Sequence, residues 1–115
     1  MKMKEFLRGL FISVFLLSLG GCRTGPGPAF NFGTYSQAER FYEKKQYQKA
    51  IAKYEEYLRE NPEGNMAVIS YYYMAKSFEG LGQTEEAKAI YKKIVKDYPD
   101  LVWADFAKTR LKELG

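Results

Sequence analysis

The 115-residue chain has no histidine, one cysteine, one tryptophan and four prolines. Without histidine, imidazole acid–base catalysis and histidine metal ligation are excluded. With a single cysteine there is no internal disulfide, so the fold must be held by its core alone. Concentrated positive charge is also missing. Eighteen Lys and Arg stand against fourteen Asp and Glu, a net charge of +4, and nucleic-acid binders gather their basic residues on one face. The neighbouring acids Glu55–Glu56 and Glu85–Glu86 point in different directions on a helix and make no catalytic dyad. Gly80 and Gly82 end a helical pattern rather than open one, which argues against a phosphate loop. No catalytic residues, cofactor-binding residues, metal ligands or small-molecule substrate are therefore expected.

The lone cysteine has a telling position. Lys2, Lys4 and Arg8 open the chain, Leu10 to Leu19 is apolar apart from Ser13 and Ser18, and Gly20 and Gly21 lead into Cys22. A basic start, a short apolar stretch and small residues form the layout of a secretory signal, too short for a comfortable permanent span. The Leu-Gly-Gly-Cys run resembles the lipobox of bacterial lipoproteins. That resemblance implies cleavage between Gly21 and Cys22 and covalent diacylglycerol and acyl chains on Cys22. Each buried methylene contributes about 0.8 kcal/mol, so several chains on one residue would give a lasting anchor. Removing residues 1–21 takes three basic side chains and Glu5, leaving a side-chain charge of +2 on the mature part. Arg23, where an inner-membrane retention signal of this family has Asp, directs the expectation to the periplasmic face of the outer membrane.

Residues 22–34 alternate Gly and Pro, which forbids a helix and reads as a tether. Phe30 and Phe32 are unusually apolar for one; the leading expectation is that they cap the first helix pair, the alternatives being contact with the membrane surface or no role. Beyond Thr34 the chain repeats at a shift of 37 residues. Ala38 falls on Ala75, Phe41 on Phe78, Gln46 on Gln83, Ala50 on Ala87, Ala52 on Ala89, Tyr54 on Tyr91 and Pro62 on Pro99. Thr34 and Gln37 have capping-box spacing, and turns are marked at Gln46–Tyr47 and Gly82–Gln83. Tyr47, Ala50, Ile51, Tyr54 and Leu58 form one helical stripe. Pro62 and Pro99 stop the second helix of each unit. Leu101 to Leu114 reads as a lone first helix of a third unit, with Trp103 on Met66 and Ala104 on Ala67, a lid for the stack.

These residues resemble the tetratricopeptide repeat, whose pattern joins aromatics, a Leu-Gly pair, alanines and a closing proline over about 34 residues. The longer period, with Asn61-Pro62-Glu63 and Tyr98-Pro99-Asp100 between helix pairs, resembles envelope lipoproteins of the outer-membrane assembly (BamD-like) and Tol-Pal coordinator types. The expected fold is all-α: a short α-solenoid of two tetratricopeptide-like hairpins, residues 35–62 and 67–99, with a capping helix at 101–114, preceded by a lipoprotein signal peptide at 1–21. The alanines are expected where helices cross closely. The resemblance implies a non-enzymatic adaptor that binds a protein partner or envelope complex, tied to the membrane by its lipid. It also implies a groove lined by first helices: Tyr35, Glu39, Tyr42 and Glu43, then Ile69, Tyr72, Lys76 and Glu79, then Phe106 and Thr109. Tyr71 is expected in the core. The alternative is a self-associating structural lipoprotein without a peptide groove.

Overall fold

A computed structural model describes residues 32–115; the signal segment, Gly21, Cys22, Phe30 and the tether as far as residue 31 lie outside the described residues. Five helices follow in order: α1 (Phe32–Glu43), α2 (Tyr47–Glu60), α3 (Asn65–Gly80), α4 (Thr84–Asp97) and α5 (Val102–Leu114). Among the described residues there is no strand. The architecture is an all-α, short solenoid of two hairpins and a closing helix.

Local chemistry sets the ends. Both hairpin turns use the same cap. In the first, Gln46 N–H donates to Phe41 C=O at 2.8 Å and Lys45 N–H to Tyr42 C=O at 2.9 Å. In the second, Gln83 N–H donates to Phe78 C=O and Gly82 N–H to Glu79 C=O, each at 2.9 Å. This Schellman arrangement needs a left-handed residue after the helix. Gly82 supplies it at φ 75°, whereas Lys45 adopts φ 61°, at a cost of about 1–2 kcal/mol for a residue with a Cβ. Helices α2 and α4 end at Glu60 and Asp97, each two residues before a proline.

Two details differ from the sequence reading. Helix α1 begins at Phe32, so Thr34 lies inside its first turn and is not the N-cap that a capping box with Gln37 requires. On α2, Tyr57 joins the buried stripe, while Tyr47 at its start is only half-buried.

Each helix packs on its sequence neighbour. The first helices α1, α3 and α5 also touch along one side, whereas α2 and α4 do not touch each other. The stack therefore curves toward the face carrying α1, α3 and α5. Its interior is two apolar clusters, one around Tyr54 and one around Tyr91, with Tyr71, Phe78 and Ile90 packed against both. Ala38, Ala50, Ala67, Ala75, Ala87, Ala104 and Ala107 are completely buried. A methyl group is all that fits where helices meet this closely. Ala52 and Ala89 are exposed, so that repeated pair does not mark a crossing. Ser70 and Ser77 are buried but satisfied, their hydroxyls donating to the carbonyls of Met66 and Tyr73 at 2.8 Å.

Overpacking a close crossing costs about 1–3 kcal/mol. Ala75→Leu is accordingly expected to lower the unfolding free energy from urea titration by that amount, while Ala89→Leu, on the open side of α4, changes it by less than about 0.5 kcal/mol. Equal effects of the two substitutions would refute the packing described.

Candidate functional site

The inner face is paved with rings. Tyr47 meets Tyr42 at a centroid distance of 5.9 Å, and Tyr42 meets Tyr73 at 5.1 Å. Tyr73 meets Trp103 at 6.1 Å, and Trp103 meets Phe106 at 5.4 Å. Tyr72 stands in the middle, within 5.2–6.2 Å of Tyr73, Tyr91, Trp103 and Phe106. Most pairs are edge-to-face, the arrangement favoured by the ring quadrupole and worth about 0.5–1.5 kcal/mol beyond burial. The array crosses α1, α3 and α5, so it both ties the first helices together and leaves a broad aromatic surface. Phe106 is 44% exposed within it.

Between α1, α2 and α3 this face opens into a cavity of about 140 Å³ lined by Glu39, Tyr42, Glu43, Tyr54 and Tyr73. Glu39 and Glu43, one helical turn apart, are exposed at its rim. Tyr54 is fully buried, and its hydroxyl has no hydrogen-bond partner. Burial first, then the nearby Tyr35 and Glu39, push the Tyr54 phenol far up, so it stays neutral. Burial also raises Tyr42. For Tyr35, burial and then the Glu39 charge push the phenol up to about 12.

The second unit is built differently. Tyr91 hydroxyl donates to Glu79 Oε2, and Arg110 on α5 grips the same carboxylate, with Nε to Oε2 at 3.1 Å and Nη2 to Oε1. Arg110 also pairs with Glu113. Burial alone would push the Glu79 carboxyl up. The hydrogen bonds from Arg110 and Tyr91 outweigh it, with the charges of Arg110 and Lys76 behind them, and hold it below the usual value.

The expected groove residues therefore separate into groups. Glu39, Tyr42 and Glu43 come together at the cavity, and Tyr72 and Phe106 share the aromatic surface. Tyr35 does not line the groove; it is 9% exposed and wedged against Tyr54 and Tyr57 at 6.1 and 5.7 Å. Ile69 is half-buried and packs on the first cluster. Glu79 is bound up in the tie to α5, its side chain 14% exposed. Lys76 is half-buried nearby, and Thr109 is exposed with its hydroxyl donating to Asp105 C=O at 3.1 Å. Tyr71 packs between the clusters, with Lys93 Nζ 5.3 Å from its ring centre. Tyr73, Trp103 and Arg110 on the first helices, with Tyr47 meeting Tyr42 from α2, were not among the expected groove residues. The 37-residue shift could have found one pair of them, because it places Tyr73 on Arg110 when all three first helices are superposed. Among the described residues no cluster of acidic or thiol side chains is arranged to hold a metal ion.

The tetratricopeptide-repeat family matches the chain over residues 70–101, from the middle of α3 through α4. No curated protein matches the chain. Repeats of this type suggest a scaffold for protein–protein interaction, and the aromatic inner face is the surface such a role calls for.

The tie between Glu79 and Arg110 yields a pH-dependent prediction. Arg110→Met leaves a mostly buried carboxylate without its cation and is expected to cost about 1–3 kcal/mol at pH 7. A carboxyl held low when folded contributes stability above its unfolded pKa, near 4.3, and loses it as pH falls through the lower folded value. The gap between wild type and variant should thus close below about pH 4 in urea titrations. A gap unchanged between pH 7 and pH 3 would contradict the tie.

Proposed function

We propose that this chain is a non-enzymatic adaptor of the bacterial cell envelope, lipid-anchored through Cys22, that holds a protein partner on the inner face of its helical stack. The observation that carries the reading is the ring surface of Tyr42, Tyr72, Tyr73, Trp103 and Phe106 spread over three helices. Tyrosine and tryptophan are rigid, large and able to hydrogen-bond, and they dominate interface energetics elsewhere. The anchor rests on the ordering of basic start, apolar stretch, paired glycines and Cys22. The outer membrane, and a role in outer-membrane protein assembly or envelope organisation, follow from the lipoprotein resemblance and the Arg23 position.

A second reading has one observation in its favour. Val102 and Phe106 on the last helix are 55% and 44% exposed, and apolar side chains at the end of a stack suit contact with another copy. Sedimentation of the full chain in neutral detergent separates the readings, since self-association predicts a concentration-dependent oligomer.

The adaptor reading is tested by placing a photo-crosslinking amino acid at position 106 on the inner face and at position 89 on the open side of α4. Irradiation in intact cells is expected to join a reproducible envelope protein to position 106 and not to position 89. Adducts from neither position, or equally from both, would refute it. Mass spectrometry of the mature protein should show an N-terminal Cys22 carrying acyl chains; an unmodified thiol or retained residues 1–21 would refute the anchor.

A further inference from the structure

The two repeats contain the same buried phenol in two different states. A shift of 37 residues carries Tyr54 onto Tyr91, Tyr42 onto Glu79 and Tyr73 onto Arg110. In the second unit the phenol meets a carboxylate, and an arginine from the next helix completes the cluster. In the first unit the corresponding positions are two tyrosines, and the Tyr54 hydroxyl is left without a partner. An orphaned buried hydroxyl is costly, and a native structure keeps few of them. Carboxylates are nevertheless present, supplied from α1 at the rim by Glu39 and Glu43. Among the described residues neither of these acids makes an ion pair. The first unit thus holds the phenol and the acids of the second but lacks the cation.

We infer that the cavity between α1, α2 and α3 receives an arginine side chain presented by a protein partner, its guanidinium bridging Glu39 and Glu43 and donating to the Tyr54 hydroxyl. The proposal rests on the reading of the inner face as a protein-binding surface and names the chemistry of what it binds. Size agrees. A cavity of about 150 Å³ accepts a benzene-sized guest, and the 140 Å³ here suits the about six heavy atoms of a guanidinium and two methylenes. Shape agrees as well. Tyr42 and Tyr73 meet at 71°, forming an aromatic corner against which a cation is attracted. Arginine is favoured over lysine because its planar fork of donors can serve two carboxylates and a hydroxyl together, where an ammonium is a compact point charge. Arg110 shows the same preference in the second unit.

The test uses the full chain in neutral detergent and blocked alanine pentapeptides whose central residue is arginine, citrulline or lysine, followed by titration calorimetry. Citrulline keeps the shape of arginine and removes its charge. Saturable binding of the arginine peptide is expected, weakened about tenfold or more by citrulline and less severely by lysine. The double variant Glu39→Gln/Glu43→Gln should abolish it. Tyr54→Phe removes only an unpartnered hydroxyl, so it should fold at least as stably as wild type while binding the arginine peptide several-fold more weakly. Far-UV circular dichroism checks that both variants are folded. Equal affinity for arginine and citrulline, tighter binding of lysine, or undiminished binding by either folded variant overturns the inference. So does a dimer that the arginine peptide dissociates, because the cation would then come from a second copy. Crosslinking at position 106 is read separately. If it persists while the peptides fail, only the arginine site falls; if both fail, the adaptor reading falls too.

Discussion

Close approach at alanine is the constraint on which the rest of this molecule depends. Seven alanines are completely buried, on helices that each pack against their neighbours in sequence. Because the backbones come so near, the large residues beside them have nowhere to go but inward. Tyr54 and Tyr91 are therefore driven fully into the stack, although each carries a hydroxyl whose burial is costly without a partner. The same approach brings α1, α3 and α5 into contact on one side, which is what assembles rings from separate helices into one face. Replacing the alanines by larger residues would therefore disturb the inner face before it touched any residue of that face.

The two buried phenols then diverge. Tyr91 is satisfied by Glu79, and Glu79 by Arg110, so the polar cost of burying one group is met by a chain of hydrogen bonds reaching the last helix. That chain fastens α5 as a lid by more than apolar contact, and α5 turns polar residues such as Lys108, Thr109 and Lys112 outward. The first unit has no such chain. Tyr54 lines a cavity under a doubly acidic rim, and its buried hydroxyl has no partner. The asymmetry arises because each unit is completed by the first helix of the next, and α3 brings a tyrosine where α5 brings an arginine.

Much of this was legible in the sequence, for a physical reason. Helix ends follow from backbone chemistry that is local, so Pro62, Pro99 and the left-handed Gly82 marked them correctly. Core positions recur with the helical period, so the Tyr54 and Tyr91 stripes were visible. Thr34 misled because a capping residue is defined by where the helix begins, and α1 begins at Phe32. Tyr35 misled because the inner face of a first helix is not uniform: two turns further on, Tyr42 reaches the array while Tyr35 is wedged against Tyr54. Glu79 looked like a free acid because its partner lies 31 residues away, and no local pattern couples Glu79 to Arg110. Tyr73 and Trp103 were not expected on the inner face because the contacts that put them there, Tyr73 with Tyr42 and with Trp103, are between helices, where sequence spacing says little.

The exposure of the two acids is the remaining question, since surface carboxylates are common and most mean nothing. What separates Glu39 and Glu43 from Glu56 or Glu85 is what lies beneath them. Glu56 and Glu85 pair along their own helices with Lys53 at 3.0 Å and Lys88 at 3.3 Å, as acids on solvated faces usually do. Glu39 and Glu43 face across the helix stack instead, over aromatic walls and an unsatisfied hydroxyl that a hydrated surface would not leave in place. Low-polarity walls strengthen the attraction of a carboxylate for a cation. A fold that meets the same demand internally one repeat later, with Arg110, shows what kind of group satisfies it.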